Sequence, residues 1–117
     1  MFEKNLNISL LLDFYGDILS ERQKDMLDFY YNDDLSLAEI AENYDISRQG
    51  VRSVLKKGEN ILINMEEKLH LAERFSSVQE KSSQIATELE KISLSINNEE
   101  ISSKIQSIIT EIKDLAE

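Results

Sequence analysis

The stretch LSLAEIAENYDISRQGVRSVLKK, residues 35–57, decides the fold of this chain. Ser36 and Glu39 lie three residues apart, the spacing of a capping box in which each side chain accepts a backbone N–H of the other residue. Leu37, Ile40 and Ala41 follow at helical spacing on one face. The first half of the stretch therefore predicts a short helix that ends near residues 44–45.

A second helix is predicted to begin after Ser47, whose hydroxyl suits an N-cap, while Ile46 fills the turn before it. Three apolar residues then recur at helical spacing and predict the buried side of this helix: Val51, Val54 and Leu55. Two short helices joined by a tight turn are the sequence form of a helix-turn-helix.

The second helix carries a row of basic side chains. Arg48, Arg52 and Lys56 recur every four residues, and with Lys57 they are all the charged residues between positions 47 and 58. The net charge of the chain is −10, yet residues 36–60 hold four acids and four bases. A basic face on the least acidic segment predicts a modest electrostatic contact with nucleic acid, and the acidic remainder weakens non-specific binding.

The composition predicts an all-α protein. The chain has 117 residues, no proline, no cysteine and three glycines. Sheets require more β-branched, aromatic and turn residues than this chain offers. The absence of cysteine excludes a disulfide framework, and the apolar patch at residues 8–12 is too short to span a membrane. We expect a cytoplasmic protein.

The remaining helices divide the chain into a helix-turn-helix domain at residues 1–62 and a helical extension at residues 63–117. The first domain is predicted to start with a helix at residues 4–16, which includes Leu6, and a second helix capped by Ser20 and Gln23. Gly58 is predicted to mark a close approach between helices. The helix after Ser47 is expected to continue to about residue 74, with a break at residues 76–77.

The extension predicts an antiparallel helical hairpin, with a turn at Asn97 and an N-cap at Asn98. The heptad stripe of the hairpin is the candidate self-association surface, and it consists of Ile85, Leu89, Ile92, Ile96, Ile101, Ile105, Ile108, Ile112 and Leu115. Ile109 and Leu94 lie off this stripe. Pairing with a second copy would bury the leftover apolar surface and give a homodimer. The alternative is a hairpin that folds back on the first domain.

Catalytic chemistry is not expected. One histidine and no cysteine leave no Ser-His-Asp or Cys-His arrangement, and the chain lacks a phosphate-binding glycine loop. The aspartates near positions 13–17 and 33–34 lack the spacing of a calcium loop. The sequence predicts a non-enzyme without cofactor or metal.

Residues 19–62 resemble region 4 of bacterial sigma factors, through ERQ in a capped helix, SLAEIA and ISRQGV. The resemblance implies that the helix after Ser47 enters the DNA major groove, and that Ala41, Ile46 and Val51 fix the angle between the two helices. With LLDFYGDILSERQ at residues 11–23 and SRQGVR, the chain more specifically resembles the YlxM-type family. That family is associated with the signal recognition particle pathway through gene proximity.

Three hypotheses follow. The resemblance to sigma region 4 implies DNA contacts by Arg48, Gln49, Arg52, Ser53 and Lys56. A DNA-binding regulator would read bases with Arg48, Gln49 and Arg52, because Arg suits guanine and Gln suits adenine, and would hold phosphates with Lys56, Lys57 and the capped helix start at Ser47. An interaction module would dock on the signal recognition particle, through its RNA or its protein, without sequence-specific DNA binding. In the third hypothesis the basic row is a solvated helix face.

Overall fold

The computed structural model describes residues 7–116, and no strand occurs among them. The elements are α1 (Asn7–Tyr15), a 3₁₀ turn (Gly16–Ile18), α2 (Glu21–Tyr31), α3 (Leu37–Tyr44), α4 (Arg48–Leu69), α5 (Leu71–Ser95) and α6 (Glu99–Leu115). The prediction of an all-α fold is confirmed. Residues 4–6 of the predicted first helix, Leu6 included, lie outside the described residues.

The chain divides into two compact units, Met1–Ala72 and Glu73–Glu117. The boundary follows Ala72 and not Leu62, where the sequence placed it. The reason is burial, since Leu62 is 0% exposed and Ala72 is 4% exposed in the core of the first unit. The end of α4 therefore belongs to the helix-turn-helix unit.

Helix α4 is the centre of the first unit, and α1, α2 and α3 all pack against it. The side chains that are fully withdrawn from water come from all four helices: Ile8, Met26, Leu27, Ile40, Val51, Leu55 and Leu62. Each such side chain contributes about 1.5–3 kcal/mol of hydrophobic stabilisation. This shared core fixes the orientation of α4 and hence of its outer side.

Both predicted capping boxes are confirmed. The Ser20 hydroxyl accepts the Gln23 N–H at 3.2 Å, and the Gln23 side chain accepts the Ser20 N–H at 3.1 Å. The same reciprocal pair joins Ser36 and Glu39 at 3.1 and 3.2 Å. These local bonds set the first residues of α2 and α3.

The prediction that the helix after Ser47 reaches residue 74 is wrong, because α4 ends at Leu69. His70 is in the left-handed conformation, with φ 57° and ψ 28°. The first N–H groups of α5 bond to side chains outside this helix: Leu71 donates to the Tyr15 hydroxyl and Ala72 donates to Glu66. These partners allow a new helix to start immediately after His70.

The break predicted at residues 76–77 is also wrong. Helix α5 is continuous from Leu71 to Ser95. Ser76 and Ser77 lie inside the helix because the chain has already started its helical hydrogen bonding several residues earlier. Their sequence signal for a cap is overridden by that earlier start.

The second unit is a helical hairpin of α5 and α6, as predicted, with Asn98 as the N-cap of α6. The Asn98 side chain accepts the N–H groups of Glu100 and Ile101 at 3.0 and 3.2 Å. The inward side of α6 includes Ile109, which is 3% exposed, and not Ile108, which is 46% exposed. The placement of Ile109 off the seam is therefore wrong.

None of the helices in residues 7–116 has the length and apolar character needed to cross a bilayer.

Candidate nucleic-acid interface

The turn between α3 and α4 is built by three consecutive residues. Asp45 is left-handed with φ 54° and closes α3, and the Ile46 N–H donates to the Ala41 carbonyl at 3.1 Å. Ser47 is extended, and its hydroxyl accepts the Gly50 N–H at 2.9 Å. The turn thus stops one helix and caps the next within three residues, as a helix-turn-helix requires.

Burial of one side of α4 determines which side is exposed. Val51 and Leu55 are 0% exposed, as is Ile40 of α3. Their opposite side carries the polar and basic residues of the helix. Because the buried side is held by three other helices, the outer side is presented on a rigid support.

Five of the predicted site residues are brought together. Gln49, Arg52, Ser53, Lys56 and Lys57 line one hollow on the outer side of α4, and all five are exposed. Along the helix the hollow extends from residue 49 to residue 60, which is about 16 Å at 1.5 Å per residue. The spacing predicted from the sequence therefore gives one continuous surface.

Asn60 is a further member of this hollow that the sequence analysis missed. It is uncharged, so the pattern of basic residues does not include it. Its position four residues after Lys56 and three after Lys57 was the signal that could have found it. Its amide can both donate and accept hydrogen bonds.

Ser47 and Arg48 lie outside the hollow. The Ser47 hydroxyl is bonded to the Gly50 N–H, so its observed role is to cap α4. Arg48 is exposed on the first turn of the same helix. The positive end of the helix dipole is added to the charge of Arg48 at this point.

Glu59 follows the basic run in sequence but does not line the hollow. Its side chain accepts a hydrogen bond of 2.7 Å from the Tyr31 hydroxyl, and its Oε2 is buried without a hydrogen-bond partner. Burial raises the pKa of Glu59, while the Tyr31 hydrogen bond and the charge of Lys56 act in the opposite direction. The arrangement keeps this acid apart from the exposed row.

The end of α3 is held by aromatic contacts with α2. The Arg22 guanidinium lies 5.4 Å from the centre of the Tyr44 ring, and Phe29 lies 6.5 Å from that ring. Burial raises the pKa of Tyr44. These contacts support the residue that precedes the turn, and so they support the start of α4.

Within residues 7–116, no group of three or more His, Asp or Glu side chains is arranged to hold a metal ion.

Sequence comparison identifies the family of this chain. A family model described as "Putative helix-turn-helix protein, YlxM / p13 like" matches residues 2–112. A UPF0122 protein of Clostridium kluyveri is 40% identical over 107 residues, which cover 92% of this chain and 96% of the relative. A UPF0122 protein of Acetivibrio thermocellus is 41% identical over 113 residues, with 94% and 97% covered. One from Desulforamulus reducens is 52% identical over 69 residues, or 59% of each chain. This chain therefore belongs to the UPF0122 family of YlxM/p13-like helix-turn-helix proteins.

Proposed function

We propose that this protein is a non-enzymatic regulator that acts in the cytoplasm and binds double-stranded DNA through the outer side of α4. The observation that carries the proposal is the hollow, in which three basic and three uncharged polar side chains form one exposed surface. The surface lies on the second helix of a helix-turn-helix, the helix that enters the major groove in this motif.

The side chains of the hollow divide into two roles. Arg52 and Gln49, with the adjacent Arg48, carry the donors and acceptors that recognise guanine and adenine edges. Lys56 and Lys57 lie one to two turns further along the helix and suit phosphate contacts. Ser53, between Arg52 and Lys56, and Asn60, after Lys57, supply shorter hydrogen-bonding groups. The capped start of α4 adds a partial positive charge for a phosphate.

The electrostatics set the expected strength of binding. Neutralisation of three to four phosphates per copy gives a slope of log K against log salt of roughly −3. The net charge of −10 opposes any less specific association with DNA. We therefore expect binding that depends on the α4 surface and weakens steeply with salt.

A second candidate is docking on the signal recognition particle, through its RNA or its protein. The observation that favours it is the acidity of the chain beyond the α4 hollow, because residues 61–117 hold eleven acids and six bases. An acidic surface complements a basic protein partner. In this alternative the α4 surface contacts the particle RNA or remains in solvent.

The deciding experiment measures the binding of wild type and Arg52→Glu to three partners across salt: a genomic DNA fragment library, the particle RNA and the particle protein. We expect wild type to retain a subset of DNA fragments and Arg52→Glu to lose at least about 1.4 kcal/mol of binding, or tenfold in affinity. Arg74→Glu makes the same charge change in the second unit and should bind as wild type does.

The DNA proposal fails if no fragment binds above a scrambled duplex, or if Arg52→Glu and Arg74→Glu weaken binding equally. Binding to the particle protein that Arg52→Glu does not change, or binding to the particle RNA in preference to every DNA fragment, would support the second candidate. The hydrodynamic behaviour and helical content of each variant establish that the charge reversal has not altered the fold.

A further inference from the structure

The hairpin has one inward side, which the burial pattern defines. Ala86 and Ile109 are 3% exposed and are its most buried residues. The partly buried residues recur from them in steps of three and four: Ser82, Leu89, Ser93, Ile96, Ser102, Ile105, Ile112 and Ala116. This is the spacing of the two inward heptad positions, a and d, of a coiled coil, and Ala86 and Ile109 both occupy position a.

Two interactions give the direction and the register of the helices. The Gln79 side chain donates to the Ala116 carbonyl at 3.1 Å, near one end. Lys113 lies 3.7 Å from Glu90, and each of them directly follows an inward residue. In an antiparallel pair, residues of this kind from both helices meet on one side. That side of the hairpin is polar.

The opposite side of the hairpin carries a second apolar surface, which we name the apolar strip. Its members recur every seven residues on each helix. Each member directly precedes a residue at the inward heptad position a. The members are Val78, Ile85, Ile92, Ile101, Ile108 and Leu115. Their side chains are between 45% and 77% exposed. The members on α5 and the members on α6 both lie on the side of the hairpin away from Glu90 and Lys113. They therefore form one strip along the hairpin.

The charges beside the apolar strip distinguish between possible occupants. Lys81 and Glu88 lie three residues after Val78 and Ile85 on α5, and Lys104 and Glu111 lie three residues after Ile101 and Ile108 on α6. Each edge thus carries one lysine and, seven residues later, one glutamate. An edge of mixed charge can pair with an edge of the same sequence, whereas a basic or acidic partner would require edges of a single charge.

We infer that the apolar strip is the interface on which a second copy of this chain docks, and that the two hairpins form a four-helix bundle. A neutral interface is what self-association requires in a chain whose net charge is −10. The predicted self-association residues are thereby divided, because Leu89, Ile96, Ile105 and Ile112 face the partner helix of the same hairpin. This inference goes beyond the proposed function and does not depend on it.

The size of the strip sets the expected affinity. Residues 78–92 span about 21 Å of helix, and two helices give a width of about 20 Å, so roughly 400 Å² per copy is available. This is below the usual 800 Å² per partner. An interface of this size belongs to the weak, transient class, and we take a dissociation constant on the order of 10 µM as the working value for the experiment.

The test is sedimentation of the whole 117-residue chain without nucleic acid, from about 1 to 200 µM, a range chosen around that constant. Wild type should pass from monomer to dimer. The double variant Ile92→Glu/Ile108→Glu should remain monomeric throughout. The matched control Ser83→Glu/Gln106→Glu places the same charges on the polar side and should dimerise as wild type does. A wild-type monomer over the whole range would overturn the inference, and so would a dimer of Ile92→Glu/Ile108→Glu.

A second pair of variants tests the edges without changing the apolar strip. Lys81→Glu/Lys104→Glu makes both edges acidic, and Glu88→Lys/Glu111→Lys makes both edges basic. All four positions are exposed, so folding should be retained. Each variant alone should dimerise at least about tenfold more weakly than wild type, and a mixture of the two should form heterodimers. Equal self-association of wild type and both variants would overturn the pairing of the edges.

Discussion

Tyr15 and Glu66 are joined by a hydrogen bond of 2.6 Å, although 51 residues separate them in sequence. The Tyr15 hydroxyl also accepts the Leu71 N–H at 3.1 Å, and the same Glu66 oxygen accepts the Ala72 N–H at 3.0 Å. A residue of α1 therefore helps to start α5. The pair replaces the local N-cap that the sequence lacks at this point.

Replacement of Tyr15 by phenylalanine should lower the melting temperature. The ring is 4% exposed and would stay in the core, but the Leu71 N–H would lose its acceptor. We expect a decrease of about 5 °C in thermal denaturation followed by circular dichroism. Tyr44→Phe, which removes a hydroxyl outside this network, is the control. Equal melting temperatures of Tyr15→Phe and wild type would show that the hydrogen bonds of Tyr15 do not stabilise the start of α5.

Gly58 should not tolerate a side chain. A Cβ at this position would lie 2.7 Å from Leu27 Cδ1, and Leu27 is 0% exposed, so its side chain cannot move aside into solvent. Alanine gains about 1 kcal/mol in helix propensity over glycine. Overpacking costs about 1–3 kcal/mol, so a net loss of up to about 2 kcal/mol is expected.

Urea denaturation of Gly58→Ala measures this loss. Gly16→Ala is the matched control, because its Cβ would lie 3.5 Å from the Lys24 side chain, an ordinary contact. Gly58→Ala should unfold at lower urea than Gly16→Ala. A Gly58→Ala protein more stable than wild type would mean that propensity outweighs the contact with Leu27.

Local signals predicted much of the first unit. Each capping box depends on two residues three positions apart, so Ser20 with Gln23 and Ser36 with Glu39 could be recognised from sequence alone. Gly58 was also predicted to mark a close approach, and the contact with Leu27 confirms it. The capping boxes are predictable because their partners are close together in sequence. Gly58 is predictable because a glycine inside a helix indicates a position where a larger side chain would not fit.

Features that depend on distant partners were not predictable. The start of α5 at Leu71 is supported by Tyr15, which lies far away in sequence. The inward side of α6 was ambiguous, because Ile105 and Ile112 can be joined through either Ile108 or Ile109 in steps of three and four. Only packing against α5 decides for Ile109. Asn60 was missed since one uncharged residue carries no electrostatic pattern.

Glu59 should make stability depend on pH in a direction opposite to most paired acids. Burial raises its folded-state pKa, so the protonated form is favoured in the folded protein. The contribution of Glu59 to the free energy of unfolding is fully present below its pKa in the unfolded chain, about 4.3. This contribution is lost as pH rises through the higher pKa of Glu59 in the folded protein. Glu59→Gln can still accept the Tyr31 hydrogen bond without a charge.

Thermal denaturation of both proteins between about pH 4 and pH 7.5, a range that brackets the usual glutamate pKa, measures this effect. Glu59→Gln should be more stable than wild type near neutral pH, and the difference should shrink as pH falls. Glu67→Gln removes the same charge from an exposed position of α4 and is the control. A difference between wild type and Glu59→Gln that grows as pH falls would contradict the prediction.

Lys56 and Gln49 should differ in the way their loss affects DNA binding, if α4 lies in the major groove as proposed. Lys56→Ala removes one phosphate contact, so the salt slope should become shallower by about 1 and affinity should fall equally for all sequences. Gln49→Ala should keep the slope and lose about 1–3 kcal/mol only on preferred sequences. Both residues line the same hollow, so the two variants are matched in position. Titration of preferred and scrambled duplexes at four salt concentrations separates these effects. An unchanged slope in Lys56→Ala would place that side chain away from the phosphates.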